Sequence, residues 1–279
     1  MTLEHLCNVS SKDPENTPVL VAREGAVATL TLNRPALLNA LNADLAKGML
    51  EALLAAEHDE SVRAVVITGA GAGFMAGGDI TMFAKHMDVD ASKRAQDFHT
   101  FFAHVHPAIT TIKRMPKPVI ASVNGACAGF GLSLMMACDL AIGCASSTYT
   151  MAYAQMGLSP DGGSSFALPR LVGLRKAMEL ALLCERFNAD TAHTLGLLNR
   201  VVEDAALQEA TRQLAQQLAS GPTAAFAKTK ALLSQSFENT LSQQLQLEED
   251  AFVASTQTHD FPQAVGSFLA KKRPTFEGR

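Results

Sequence analysis

The chain has 279 residues, 48% of them apolar and 18% charged, with a formal net charge of −4. That much apolar material supports a large buried core and excludes global disorder, and the mildly acidic balance argues against a dedicated nucleic-acid binder. No apolar run approaches the roughly 20 residues of a membrane span, and Met1 to Asn16 lack a basic-then-apolar signal pattern, so a cytoplasmic protein that does not engage a membrane is expected.

Val19 to Val21 and Val27 to Leu32 predict a hairpin around Glu24-Gly25. Asn42 to His58 predicts a helix. Ala64 to Thr68 is an apolar run ending in glycines, which reads as a buried strand. Asp79 to Val89 carries no clear pattern, and Ser92 to Lys113 predicts a second helix. Val119 to Val123 and Leu140 to Ile142 read as further strands. Strand-then-helix order implies an α/β architecture with parallel strands.

From Asp204 the pattern changes. Ala205 to Ser220, Thr223 to Ser236, Thr240 to Ser255 and Phe261 to Lys271 are helical in character, with joints at Gly221-Pro222 and Phe261-Pro262. No strand is evident after Val202. Residues 1–204 are therefore expected to form the core, and 205–279 a helical region. Its apolar faces need a cover, either its own core or a second copy of the chain.

Five cysteines (Cys7, Cys127, Cys138, Cys144, Cys184) form no CxxC pair and are odd in number, which predicts free thiols in a reducing compartment. Zinc-ligand spacing and HExxH are both missing, so no metal is expected.

The glycines concentrate in two segments. One runs Ile67-Thr-Gly-Ala-Gly-Ala-Gly-Phe-Met-Ala-Gly-Gly-Asp-Ile80 and the other Val123-Asn-Gly-Ala-Cys-Ala-Gly-Phe-Gly-Leu-Ser133. Each follows a buried strand and runs toward a helix, where bare N–H groups suit an anion or a developing oxyanion. Gly71-x-Gly73-x-x-Ala76 is a degenerate dinucleotide fingerprint. It is rejected because no apolar strand precedes Asp88 or Asp90, where the ribose-binding acid belongs. The lysine of a phosphate-binding P-loop is also missing. Ser133, in Gly131-Leu-Ser-Leu-Met135, lacks the second glycine of a nucleophile elbow, and Ser164 and Ser165 also miss that pattern.

Several motifs in order then carry a resemblance. They are Leu32-Asn-Arg-Pro-Ala-Leu-Leu-Asn-Ala-Leu41, the two glycine segments, Ala137-Cys-Asp139, Leu168-Pro-Arg-Leu-Val-Gly173 and Phe268-Leu-Ala-Lys-Lys-Arg-Pro274. Together they resemble the crotonase superfamily, the enoyl-CoA hydratases and isomerases, nearly end to end. The resemblance implies a spiral of ββα units followed by a helical region that builds homotrimers, commonly paired into hexamers. It also implies an acyl-CoA thioester substrate, isomerase or lyase chemistry of the kind used in fatty acid metabolism, and no cofactor beyond the coenzyme A of the substrate.

By the same resemblance, the backbone N–H groups of Gly78 and Phe130 form an oxyanion hole for the thioester oxygen. Each such donor is typically worth about 3 to 4 kcal/mol in the transition state. The two glutamates of the hydratases map to Ser133 and Tyr153, neither a base near neutral pH. Asp161, in Gly157-Leu-Ser-Pro-Asp-Gly-Gly163, matches an aspartate that phenylacetate-pathway isomerases and 4-chlorobenzoyl-CoA dehalogenases present to the acyl group. One carboxylate suffices to move a double bond, so a Δ3-Δ2 enoyl-CoA isomerase with Asp161 as proton shuttle is expected. A Pro-Asp-Gly turn can also use its aspartate simply to cap the backbone.

The alternatives are a hydratase, an aryl-CoA dehalogenase and a non-catalytic acyl-CoA binder. A dehalogenase would use Asp161, His106 and Tyr153, but its tryptophan is missing, and His99 and His106 share a helix face of the kind more often used for packing. For coenzyme A the matching residues are Arg34 with Leu38, and Ala76 with Gly78, Asp79 and Ile80. Lys271, Lys272 and Arg273 are candidate phosphate ligands, in this chain or toward a neighbouring subunit, although cations also suit a solvated helix end. Leu37 stands where the family often has lysine. Met75, Met82, Phe83, Phe130, Met156 and Phe166 are candidates for the acyl pocket or the core.

Overall fold

In the middle of this chain, residues 64–150, successive strands alternate between two sheets, as seen in a computed structural model that describes residues 1–279. Helix α1 (Leu3–Lys12) precedes the hairpin of β1 (Val19–Glu24) and β2 (Val27–Leu32). The hairpin pairs antiparallel, Val19 opposite Leu32, as expected from the sequence. Helix α1 was not anticipated; its buried Ser10 hydroxyl accepts the Val21 N–H at 2.8 Å. Helix α2 (Ala43–His58) begins at Asn42, whose side chain accepts from the Leu45 N–H, a typical N-cap.

The first full repeat is β3 (Ala64–Gly69), β4 (Gly73–Met75), α3 (Ile80–Ala84) and α4 (Ala91–Arg114). The second is β5 (Val119–Val123), β6 (Ala126–Ala128) and α5 (Phe130–Ala137). The third is β7 (Leu140–Cys144), β8 (Thr148–Thr150) and the pair α6 (Ser164–Val172) and α7 (Leu174–Leu183). Short elements β9 (Phe187–Asn188), α8 (Ala189–Thr194) and β10 (Arg200–Val202) complete the spiral. The six-stranded sheet has the order β1-β2-β3-β5-β7-β10, and the four-stranded sheet β4-β6-β8-β9. Within the repeats the ladders are parallel, as β3 to β5 and β5 to β7 show. The expected spiral of ββα units is what the chain forms.

Every residue of β5 is buried, which explains its continuous apolar run. The main core gathers Leu30, Leu53, Ile67, Phe74, Ile112 and Val119 with many others. A second core, with Val66, Ile120 and Ile142, lies on the opposite face of the six-stranded sheet. Helix α9 (Leu207–Ala219) covers that face with Leu207, Leu214, Ala215 and Ala219. The helical region that begins near residue 205 thus contributes its first helix directly to the sheet.

Helices α10 (Thr223–Gln235), α11 (Leu241–Thr256) and α12 (Asp260–Leu269) follow. Lys230 of α10 is anchored to the spiral, donating to the Ile112 carbonyl and pairing with Asp139 Oδ2, both at 2.7 Å. Pro262 does not mark a joint as expected. It sits in the first turn of α12, where a missing N–H costs no helical bond. The break falls before it, at residues 257–259. All five cysteines are free, and no helix is long and apolar enough to cross a membrane.

Candidate active site

The two glycine segments differ from the expected strand-to-helix turns in one respect. Each first crosses to the second sheet as a three-residue strand, and only then enters a helix. Side-chain amides hold the crossovers, that of Asn39 fully buried and that of Asn124 partly so. Asn39 donates to the carbonyls of Ala70 and Gly73, and Asn124 to those of Gly69 and Gly71.

After β4 and β6 the chain passes through Gly77 and Gly129, which pack against each other. A Cβ on Gly129 would lie 3.5 Å from Gly77 Cα, and both residues have positive φ, 99° and 51°. The residues that follow, Gly78 and Phe130, present N–H groups with no acceptor anywhere in the chain. Both residues line one cavity of about 740 Å³. Phe130 also opens α5, so the positive end of the helix faces that opening.

Asp161 lines the same cavity. Its Oδ1 accepts a short hydrogen bond from the Tyr153 hydroxyl, whereas no protein donor reaches Oδ2. Burial raises the Asp161 carboxyl above the usual aspartate range, opposed by the Tyr153 hydrogen bond and the charge of His106. Tyr153 in turn lies 2.8 Å from the Ser133 hydroxyl, which also approaches the Gly129 carbonyl at 3.4 Å. Burial and the neighbouring Asp161 charge push the Tyr153 phenol well above its ordinary value, so it keeps its proton, donates it to Asp161 and accepts from Ser133. The Phe130 ring lies against Gly162, where a Cβ would come within 2.7 Å of it. That contact fixes the loop carrying Asp161 beside the second glycine turn.

The other expected site residues are distributed unevenly. Leu38, Ala76 and Ile80 line the cavity, as do Phe83 and Met156. Arg34 and Asp79 do not. They pair with each other at 2.8 Å, and Asp79 caps α3 through the Thr81 N–H. Their evident work is to tie the segment after β2 to the first glycine turn. His106 is exposed and stacks on Phe102 with ring centroids 4.8 Å apart; it reaches Asp161 by charge rather than by contact. Lys271 and Lys272 follow α12 on the surface, outside the cavity, as does Arg273. Met75 is core, Met82 lies outside the cavity, and Phe166 is on the surface under the Arg170 guanidinium.

Sequence reasoning missed the wall formed by Phe98, Phe101 and Phe102 on α4 and the cations at the rim, Arg94 and Arg186. The i, i+3, i+4 spacing of the phenylalanines was a readable helix stripe, but its destination depends on how α4 packs. Titratable groups do not gather into a metal site.

A family model described as enoyl-CoA hydratase/isomerase matches residues 22–279. The chain is 37% identical over 257 residues to the 1,2-epoxyphenylacetyl-CoA isomerase of Escherichia coli K12, covering 92% of this chain and 97% of that protein. It is 35% identical over 254 residues to 4-chlorobenzoyl coenzyme A dehalogenase-2 of an Arthrobacter species, covering 91% of each. Among solved structures, an enoyl-CoA hydratase from Polaromonas sp. JS666 superposes with a TM-score of 0.87 at 37% identity, over 93% of this chain and 99% of that one. With its spiral fold, paired glycine turns and end-to-end match, the chain belongs to the enoyl-CoA hydratase/isomerase family of the crotonase superfamily.

Proposed function

We propose that the protein is an enoyl-CoA isomerase of the Δ3-Δ2 type, with Asp161 as its proton shuttle. The observation that carries this reading is the pairing in one cavity of two unsatisfied N–H donors with a single carboxylate whose Oδ2 is free. A thioester oxygen held by Gly78 and Phe130 makes the α proton removable. Asp161 Oδ2 takes that proton as the C–H electron pair moves into the enolate. The same oxygen then returns it to the γ carbon, re-forming the thioester carbonyl and leaving the double bond conjugated. No proton is gained or lost. Preorganised donors of this kind stabilise charge only as it develops, which is what accelerates the step.

Leu38, Ala76 and Ile80, with the rim cations Arg94 and Arg186, are suited to the coenzyme A portion of the substrate. The exposed apolar residues of α10 to α12, such as Leu233, Leu241, Phe252 and Phe268, are suited to a homotrimer or a hexamer built from two of them.

Hydration needs a group to activate water. The two positions that would supply it are Ser133 and Tyr153, whose hydroxyls are buried and turned toward each other. Incubation with a 3-enoyl-CoA tests the proposal: conjugated 2-enoyl-CoA should form in wild type and not in Asp161→Asn. Hydration of crotonyl-CoA at rates exceeding isomerisation would favour the hydratase instead.

A further inference from the structure

The geometry points to Tyr153, backed by Ser133, as the positioning residue that holds Asp161 Oδ1 and leaves Oδ2 as the only oxygen able to carry the shuttled proton. This inference rests on the isomerase reading for its kinetic consequence, but the hydrogen-bond coupling itself is independent of it.

Tyr153 gives its proton to Asp161 Oδ1, so the 2.8 Å bond between the two hydroxyls is donated by Ser133, whose oxygen lies 3.4 Å from the carbonyl of Gly129, the residue that precedes the Phe130 donor. Ser133 and Tyr153 are buried, with 1% and 8% exposure, so solvent does not substitute for either partner. A carboxylate on a loop would otherwise rotate and exchange its two oxygens. With Oδ1 held by a donor that keeps its own proton, rotation is blocked and the acceptor facing the cavity is always the same atom. A shuttle that abstracts at one carbon and delivers at another gains from this, because the oxygen that takes the proton is already aimed at the acceptor carbon.

The titratable groups whose charge or hydrogen bond reaches Asp161 are Tyr153, on the turn after β8, and His106, on α4. Both favour its ionised form. Deleting the Tyr153 hydroxyl therefore makes Asp161 harder to ionise, and the acid limb of kcat/KM moves to higher pH.

The chain offers a readout that needs no turnover. It contains no tryptophan and only two tyrosines, Tyr149 and Tyr153. Tyrosine emission is quenched when the phenol donates to an ionised carboxylate, so emission from the intact protein reports the state of Asp161. Wild type should brighten in one step as acid protonates Asp161. The step should vanish in Tyr153→Phe and in Asp161→Asn. In the 3-enoyl-CoA assay, Tyr153→Phe should shift the acid limb upward and lower kcat on the order of 10- to 100-fold, with a much smaller change in KM. Ser133→Ala should shift the limb in the same direction by less.

Emission that titrates identically in Asp161→Asn, or no step in folded wild type, would overturn the coupling. An unchanged acid limb in a folded Tyr153→Phe protein would overturn the positioning role. Full isomerase activity in Asp161→Asn would instead sink the proposed function, while the emission titration would still decide the coupling.

Discussion

Tyr153 and Asp161, eight residues apart, meet because the turn after β8 and the glycine-flanked loop before α6 close on one cavity, where the phenol donates to Oδ1. The pairing joins a permanently protonated donor to a carboxylate that burial makes reluctant to ionise. The opposed influences leave a carboxylate that is occupied on one side and open on the other.

The cost of that arrangement is measurable. Burial raises the folded-state pKa of Asp161 above its unfolded value, so the folded protein binds this proton more tightly than the unfolded chain does. The stability associated with the site is then full at low pH and lost as pH rises through the folded pKa. Asp161→Asn removes the buried charge, so its Tm should exceed that of wild type at neutral pH. The difference should close in acid, where wild-type Asp161 is neutral too. Thermal melts across pH check this, and the same ionisation places the acid limb of wild-type kcat/KM above the ordinary aspartate pKa of about 3.9.

Gly78 and Phe83 provide a second test. A Cβ on Gly78 would lie 2.5 Å from Phe83 Cζ, at the base of the aromatic wall. Gly78→Ala should therefore displace the ring or the Gly78 N–H, and if that N–H holds the thioester oxygen as proposed, reduce kcat on the order of 10- to 100-fold. Adding Phe83→Ala removes the clash and should restore part of the loss. A double mutant that is simply additive would contradict a steric cause.

Lys230 and Asp139 link α10 to the spiral through a mostly buried ion pair, with side-chain exposures of 11% and 22%. Asp139 also accepts the Val119 N–H at 2.8 Å, at the start of the central strand. Lys230→Met would leave that carboxylate buried and unpaired, which should cost about 3 to 5 kcal/mol in denaturant unfolding at neutral pH. Burial already raises the Asp139 carboxyl and Lys230 opposes the shift. Without the lysine the folded pKa rises further, so the deficit should shrink on acidification as Asp139 takes up a proton.

What was legible in the sequence follows the length of the signal. The strands β3, β5 and β7 and the helices α2 and α4 announce themselves by sustained apolar runs or helical spacing. The second sheet does not, because strands of two or three residues, such as Ala126–Ala128, are too short to show a period. Helix α1 was hidden by its polar composition, with Glu4, Asn8 and Ser11 on a helix only ten residues long. At the site, Gly78, Phe130 and Asp161 stood out through motifs of fixed order. Arg34 and Asp79 stood out equally, yet they turn toward each other, a choice set by the crossing of two distant segments. Phe98, Phe101 and Phe102 were visible as residues but not as a wall, since only the packing of α4 decides what a helix face meets.

Conversion of a 3-enoyl-CoA to its conjugated isomer by wild type and by Asp161→Asn, followed alongside acyl-CoA binding by both, tests the central claim most directly. The account predicts turnover by wild type, loss of turnover on the order of 1,000-fold or more in Asp161→Asn, and binding retained in both. Equal turnover by the two proteins would contradict it.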